Sequence, residues 1–253
     1  MKPVTGVSVI VTGGGSGIGE ATARHFAAKG ARVTLCGRRK DKIEAVAADI
    51  GAAARAVAAD ITVAADREAL IAAAVEHGGG LDVLINNAGN MYRGPIAELD
   101  EAELLAVFHT NVVAGMLLTG LAVPHLAARE GAVVFLGSIH TQRAFPGASP
   151  YAATKGALEA LTGVLAAELG PQKIRVNCVR PGAVFSEINV RAGLADPDAA
   201  RARLESLAPA HALGRIGTAA EIAEAIEYLA CAEWTTGAVI SVDGGLGLGV
   251  TNA

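Results

Sequence analysis

Thr12-Gly13-Gly14-Gly15-Ser16-Gly17-Ile18-Gly19 lies directly after an apolar run, Val7–Val11, and opens a helical pattern, Gly17–Lys29. A strand that turns through glycines into a helix suits a pyrophosphate. A Cβ would block close approach of the backbone, and the helix N-terminus offers unpaired N–H groups and the positive end of its dipole. Gly13, Gly15, Ser16, Gly17, Ile18 and Gly19 are therefore candidate dinucleotide contacts. The spacing, Gly-x-x-x-Gly-x-Gly, is one residue longer at the front than the usual fingerprint. A plain tight β–α turn is the alternative.

Outward from this turn, short β-branched runs alternate with alanine-rich helical patterns. The strand candidates are Val7–Val11, Arg32–Cys36, Arg55–Ala58, Val83–Ile85, Val133–Leu136, Ile174–Val179 and Val239–Val242. Between them lie Gly17–Lys29, Lys40–Ile50, Ala64–His77, Glu101–Ala128, Tyr151–Leu169 and Ala219–Ala230, with Thr62 a candidate N-cap for the third helix. This alternation predicts an α/β fold, a doubly wound parallel sheet with helices on both faces. One domain is expected over residues 1–253. Residues 186–214 fit the alternation least well and follow a strand's carboxyl end, so they are read as a substrate lid, with a surface excursion as the alternative.

The second strand runs into Gly37-Arg38-Arg39-Lys40. Dinucleotide folds place an acid about 20 residues after the glycines to bind the ribose diol. Here Gly37 holds that slot and three cations follow. A carboxylate would repel a 2′-phosphate, whereas Arg38 can pair with one, so the turn favours NADP with NAD as the alternative. Ser16 stands where a second basic residue would strengthen that preference.

Composition excludes several classes. Hydrophobic residues are 52% of the chain and the formal charge is −4, which argues against disorder and against a nucleic-acid surface. No signal peptide is expected at the N-terminus. Val112–Ala128 carries no charged side chain but is about one turn short of a comfortable span. It is read as a helix buried against protein, and no membrane association is expected. Cys36, Cys178 and Cys231 are odd in number and widely spaced, which suggests reduced thiols in a cytoplasmic protein. No His/Cys/Glu cluster has metal-ligand spacing, so no metal is expected.

The chain strongly resembles the short-chain dehydrogenase/reductase family in its small single-domain branch. The marks are Thr12–Gly19, Asp60, Asn86-Asn87-Ala88-Gly89, Asn111, Ser138, Tyr151-Ala152-Ala153-Thr154-Lys155, Pro181-Gly182 and Val242-Asp243-Gly244-Gly245. The resemblance spans essentially the whole chain. It implies a Rossmann-type fold with a seven-stranded parallel sheet, a carbonyl/alcohol oxidoreductase, and a homo-oligomer, here expected to be a tetramer.

Tyr151 and Lys155 stand four apart at the start of a predicted helix and share one face. Tyrosine is a poor base at neutral pH, but a neighbouring ammonium favours the phenolate. Tyr151 is thus the expected proton donor and acceptor, and the resemblance gives Lys155 a second task on the nicotinamide ribose. Ser138, after the fifth strand, is placed to donate to the substrate oxygen, and His140 is a substrate-pocket candidate. Asn111 inside an apolar helix needs a hydrogen-bonded reason to be there. The resemblance implies that it distorts the helix and holds a water relaying protons to Lys155. Asp60 and Ile61 are expected at the adenine, and Asn87, Ala88 and Gly89 under the cofactor. Pro181, Gly182, Val184 and Ser186 are expected at the nicotinamide. A small-molecule carbonyl or alcohol is the expected substrate. A 3-oxoacyl-carrier-protein reductase is the alternative, with Arg129, Lys173 and Arg175 as candidate docking cations. A non-catalytic NADP sensor would be expected to lack the Tyr/Lys pair.

Overall fold

The computed structural model describes residues 1–194 and 196–249, without the side chains of Asn189 and Arg191. Ala195 and residues 250–253 of the expected domain therefore lie outside the described residues. Seven strands form one sheet: β1 Ser8–Thr12, β2 Arg32–Gly37, β3 Ala54–Ala58, β4 Val83–Asn86, β5 Ala132–Leu136, β6 Arg175–Pro181 and β7 Val239–Val242. Their order is β3-β2-β1-β4-β5-β6-β7, every pairing is parallel, and the fold is a Rossmann-type α/β sandwich.

Among the described residues, nine α-helical segments accompany the sheet: α1 Gly17–Ala28, α2 Lys40–Ile50, α3 Ala64–Gly78, α4 Glu101–Phe108, α5 Ala114–Ala127, α6 Ser149–Leu169, α7 Ile188–Arg191, α8 Pro197–Glu205 and α9 Ala219–Cys231. One apolar core gathers Phe26 of α1, Ile43 of α2 and Ile226 of α9 on one face. The other gathers Leu70 of α3, Leu118 of α5 and Leu158 of α6. Central strands β1, β4 and β5 are buried along their whole length, which explains why they read as continuous apolar runs.

The order reverses between β1 and β4, so the loops after these two strands diverge and leave a crevice at the carboxyl edge of the sheet. Everything that follows sits along that edge.

Two local expectations are corrected. Thr62 does not cap α3: Val63 is the N-cap, and the Thr62 hydroxyl donates to Asp60 Oδ1 at 2.7 Å. Glu101–Ala128 is not one regular helix, and its interruption falls where the resemblance implied that Asn111 distorts it. A π-helical turn, His109–Val113, separates α4 from α5, and Ala114 N–H bonds to His109 C=O. Asn111 sits inside that turn.

Candidate active site

The glycine turn is held by the chain itself. Thr12 Oγ1 accepts the N–H groups of Asn87 and Ala88 at 3.0 and 2.9 Å, while Asn87 Nδ2 donates to Thr12 C=O at 2.8 Å. A Cβ on Gly19 would lie 2.2 Å from Gly13 O, and one on Gly13 would lie 2.9 Å from Asn87 Nδ2. These glycines are thus demanded first by the turn's own packing, in addition to the ligand approach predicted from sequence. Gly19 does not line the cleft; it is buried behind Gly13.

Ser16 is the N-cap of α1, yet its hydroxyl caps nothing. It accepts from Arg39 Nη2 at 2.9 Å instead, and Arg39 Nη1 pairs with Glu187 at 2.8 Å. The first-turn N–H groups of α1 are therefore left without a side-chain cap, a donor set that fits a phosphate.

Two adjoining hollows share Gly13, Ala88 and Gly89. One is bordered by Gly15, Arg38, Asp60 and Ile61. The other is bordered by Ser16, Gly17, Ile18, Asn87, Ser138, His140, Tyr151, Lys155, Pro181, Gly182, Val184 and Ser186. The expected cofactor and substrate residues thus converge on one continuous cleft, except Gly19 and Asn111, which stand behind its wall.

Asp60 is partly buried, which raises its carboxyl, but two hydrogen bonds from Thr62 and the charge of Arg38 win and hold it below the usual range. Arg38 itself is exposed at the mouth.

Tyr151 and Lys155 share the inner face of α6, as their spacing predicted, and both are buried. Lys155 Nζ donates to Leu136 C=O at 2.7 Å and lies 5.4 Å from the Tyr151 ring centroid. Burial sets their protonation in the chain alone. It lowers the Lys155 ammonium to about 8 and pushes the Tyr151 phenol up to about 12, against the opposing pull of a hydrogen bond with Ser138. The expected depression of Tyr151 by Lys155 is not realised: desolvation of the buried phenol is the largest influence on it.

Ser138 begins a 3₁₀ turn and does not extend the strand. Its Oγ accepts from the His140 N–H at 3.3 Å and contacts His140 Nδ1 at 3.0 Å. The His140 ring packs edge-on against Tyr151, with centroids 5.2 Å apart. The sequence left contact between Ser138 and His140 open; the turn after β5 makes it.

Asn111 is buried. Its Oδ1 accepts the Asn90 N–H at 2.7 Å, and its Nδ2 donates to Asn90 C=O at 2.9 Å and to Thr154 Oγ1 at 3.1 Å. Its side chain thus clamps the loop after β4 to α6 and does not touch Lys155.

Sequence reasoning missed the Arg39–Glu187 pair, and it missed Arg93 and Arg203, which border the substrate end. It also missed a partly buried ion pair between Arg180 and Glu159, in which Glu159 accepts from the Thr141 hydroxyl while the Thr141 N–H donates to Ser138 C=O. None of these carries a local motif. Arg129, Lys173 and Arg175 do not flank the cleft. They adjoin the amino ends of β5 and β6, the opposite edge of a parallel sheet. Arg129 donates to Gly79 C=O, Lys173 pairs with Glu130, and Arg175 holds the carbonyls of Leu229 and Ala232.

A family model described as Enoyl-(Acyl carrier protein) reductase matches residues 13–247. A Dehydrogenase/reductase SDR family member 4 from Sus scrofa is 32% identical over 96% of this chain and 88% of its own. The chain belongs to the short-chain dehydrogenase/reductase family.

Another relative, an uncharacterized oxidoreductase of Methylorubrum extorquens, is 39% identical over 97% of this chain and all of its own. Among solved structures, a 3-ketoacyl-(acyl-carrier-protein) reductase from Brucella melitensis complexed with NADH superposes with a TM-score of 0.87. It is 33% identical, covering 96% of this chain and 99% of the other. This short-chain dehydrogenase/reductase is an NAD(P)-dependent oxidoreductase acting on CH–OH or C=O groups.

Proposed function

We propose that this enzyme interconverts a small carbonyl compound and its alcohol with NADP in preference to NAD, using Tyr151 as the general acid and base. The observation that carries the reading is the meeting of Tyr151, Ser138 and Lys155 on one wall of the cleft that begins at the uncapped end of α1. The nicotinamide, when bound, supplies or accepts the hydride.

The protein's part is positioning and proton transfer. In the reduction direction the Tyr151 hydroxyl gives its proton to the carbonyl oxygen, and Ser138 donates a hydrogen bond to the same oxygen as charge builds on it. A phenol pushed up to about 12 is a fully loaded proton donor at neutral pH. In oxidation the same phenol must lose its proton, and the positive charges of Lys155 and of an oxidised nicotinamide favour that loss. Lys155, which borders the same hollow, would also hold the nicotinamide ribose. Asn111 keeps the loop through Asn90 against α6, which fixes the floor beneath Lys155; a proton-relaying water on this turn is part of the same reading.

Arg38 supports NADP because it is exposed beside Asp60 at the adenosine end and makes no ion pair among the described residues. Titration of the enzyme with NADPH and NADH, followed by nicotinamide fluorescence, should give at least tenfold tighter NADPH binding. Tenfold preference for NADH would overturn the reading.

The carrier-protein alternative loses its basic dock, since its three candidate cations lie at the far edge of the sheet. Segment Glu101–Ala127 is long and apolar enough to cross a membrane by length and composition. Its inner face, including Leu118, Ala122 and Leu126, is nevertheless packed on the sheet, leaving Leu105, Met116, Leu117 and Leu121 exposed. A half-packed apolar helix of this kind fits self-association, and a tetramer is proposed over a membrane site. The three cysteines are free and buried, in keeping with a reducing, cytoplasmic setting.

A further inference from the structure

The substrate end of the cleft contains two guanidinium groups that the reaction does not use. Arg93 stands in the loop after β4, and Arg203 stands on α8 of the lid. They are 110 positions apart in sequence, yet both border the hollow that holds Ser138, His140 and Tyr151. Arg93 donates through Nη2 to Pro146 C=O at 3.1 Å. Neither arginine forms an ion pair among the described residues, although Arg201 on the same helix faces Glu205. Glu187 is the single carboxylate among the described residues bordering this hollow, and Arg39 already engages it. The surface between the two arginines and the reacting hydroxyls is apolar, with Met91, Phe145, Leu204, Leu207 and Leu246.

Like charges brought together without a counter-ion oppose each other and oppose closure of the lid. The cost is visible in the neighbours. Burial, then the charge of Arg203, hold the Arg93 guanidinium below its ordinary range. Burial, then Arg93, Lys155 and Arg203, bring the His140 imidazole down to about 4, so His140 is neutral and offers no further cation. A hollow of net positive potential with an apolar body and a hydroxyl pair at its inner end matches one kind of molecule.

We propose that the substrate carries an anionic group, a carboxylate or a phosphate, that is clamped between Arg93 and Arg203 while its carbonyl or hydroxyl reaches Ser138 and Tyr151. The proposal rests on Tyr151 and Ser138 marking the reacting end. Arg203 rides on the lid and Arg93 on the body of the fold, so the anion also joins the two. A neutral sugar or steroid leaves both guanidiniums without a partner.

The test uses matched pairs with NADPH. One pair is 4-oxo-4-phenylbutanoate and its methyl ester, another is 2-oxo-4-phenylbutanoate and its ethyl ester, and a third is dihydroxyacetone phosphate and dihydroxyacetone. At least one anion should exceed its neutral partner by tenfold or more in kcat/KM. Arg93→Gln and Arg203→Gln should each raise the KM for that anion at least tenfold, with kcat and the KM of the neutral partner changed less than threefold. Neutral partners that equal or outrun all three anions would overturn the proposal, as would an anion KM unmoved by both variants.

Binding is read apart from turnover by calorimetric titration of the NADP-loaded enzyme with 4-phenylbutanoate and with phenyl phosphate, neither of which can be reduced. The better ligand separates carboxylate from phosphate, and its affinity should fall at least tenfold in Arg203→Gln while surviving in Tyr151→Phe. Failure of both to bind overturns the anion clamp even if neutral ketones are reduced. Binding lost in Arg203→Gln, with substantial turnover persisting in Tyr151→Phe, upholds the clamp and counts against the assignment of the proton donor.

Discussion

Around Gly13 the cleft is held by backbone and buried polar groups: Thr12 and Asn87 stitch β1 to the loop after β4, and Gly19 packs on Gly13 O with no room for a methyl group. Around Leu204 the opposite wall is the segment that carries helix α8, which buries a single residue, Ala200. It rests on a small third cluster with Ile139, Ala183 and Leu246 at its centre. The first region is part of the sheet's own hydrogen-bonded frame, and the second is an appendage on a thin apolar contact. A shape that every ligand of the family shares can be built into the frame. A shape that differs from substrate to substrate is cheaper to change where little else depends on it.

The largest effect is expected where the two regions meet. Tyr151→Phe removes one hydroxyl and keeps the ring against His140, so turnover should fall by roughly 10²–10⁴ with cofactor affinity nearly unchanged. Lys155→Ala should damage both, because its ammonium serves both partners. Steady-state kinetics and fluorescence titration check the pair. Retention of more than about a tenth of wild-type turnover in Tyr151→Phe, in a chemistry-limited assay, would remove Tyr151 from its role.

Next come two alanines that set the frame against the α8 segment. Gly19→Ala places a Cβ 2.2 Å from Gly13 O, a clash with backbone that cannot swing away. A loss of about 3 kcal/mol or more in urea unfolding is expected, together with loss of cofactor binding. Gly193→Ala, before α8, has φ +68° and open space around the new methyl, so only the strain of a left-handed residue remains, about 1 kcal/mol. Equal losses at the two sites would break the distinction.

The cofactor preference is a smaller, selective effect. Arg38→Ala should weaken NADPH binding about tenfold or more and NADH binding less than twofold, since only the former offers a 2′-phosphate to the guanidinium. Parallel changes for both cofactors would show that Arg38 is only a solvated turn residue.

A pH dependence on the substrate side gives a further, graded effect. His140 titrates near 4 in the folded chain and near 6.5 when unfolded. Between those values the unfolded state binds more protons, so the stability contribution is complete above pH 6.5 and is lost as pH falls toward 4. His140→Gln should flatten that part of the stability curve by up to about 2 kcal/mol. An unchanged slope in chemical denaturation across this window would place His140 outside the buried wall.

The glycine turn, the strand–helix alternation and the Tyr151/Lys155 spacing were legible because each is local. Consecutive residues determine a period, a turn or a shared helix face without reference to the rest of the chain. The same locality misled at Thr62, which looks like a helix cap but spends its hydroxyl on Asp60. Over Glu101–Ala128 the regular apolar pattern reads as one helix, and only the family resemblance pointed to the distortion at Asn111, where a π-turn lies.

By itself the sequence determined the doubly wound fold, the glycine turn after β1 and the shared helix face of Tyr151 and Lys155, since these follow from residue types a few positions apart. Tertiary structure alone decided that Arg39 ties Ser16 to Glu187, that Ser138 touches His140, and that Arg93 and Arg203 face one hollow without a counter-ion. It also decided the protonation of Tyr151 and Lys155, which depends on how much water the surrounding elements exclude. Burial and charge pairing are sums over neighbours from distant parts of the chain, and no window of sequence contains those neighbours until the sheet has brought its strand ends together.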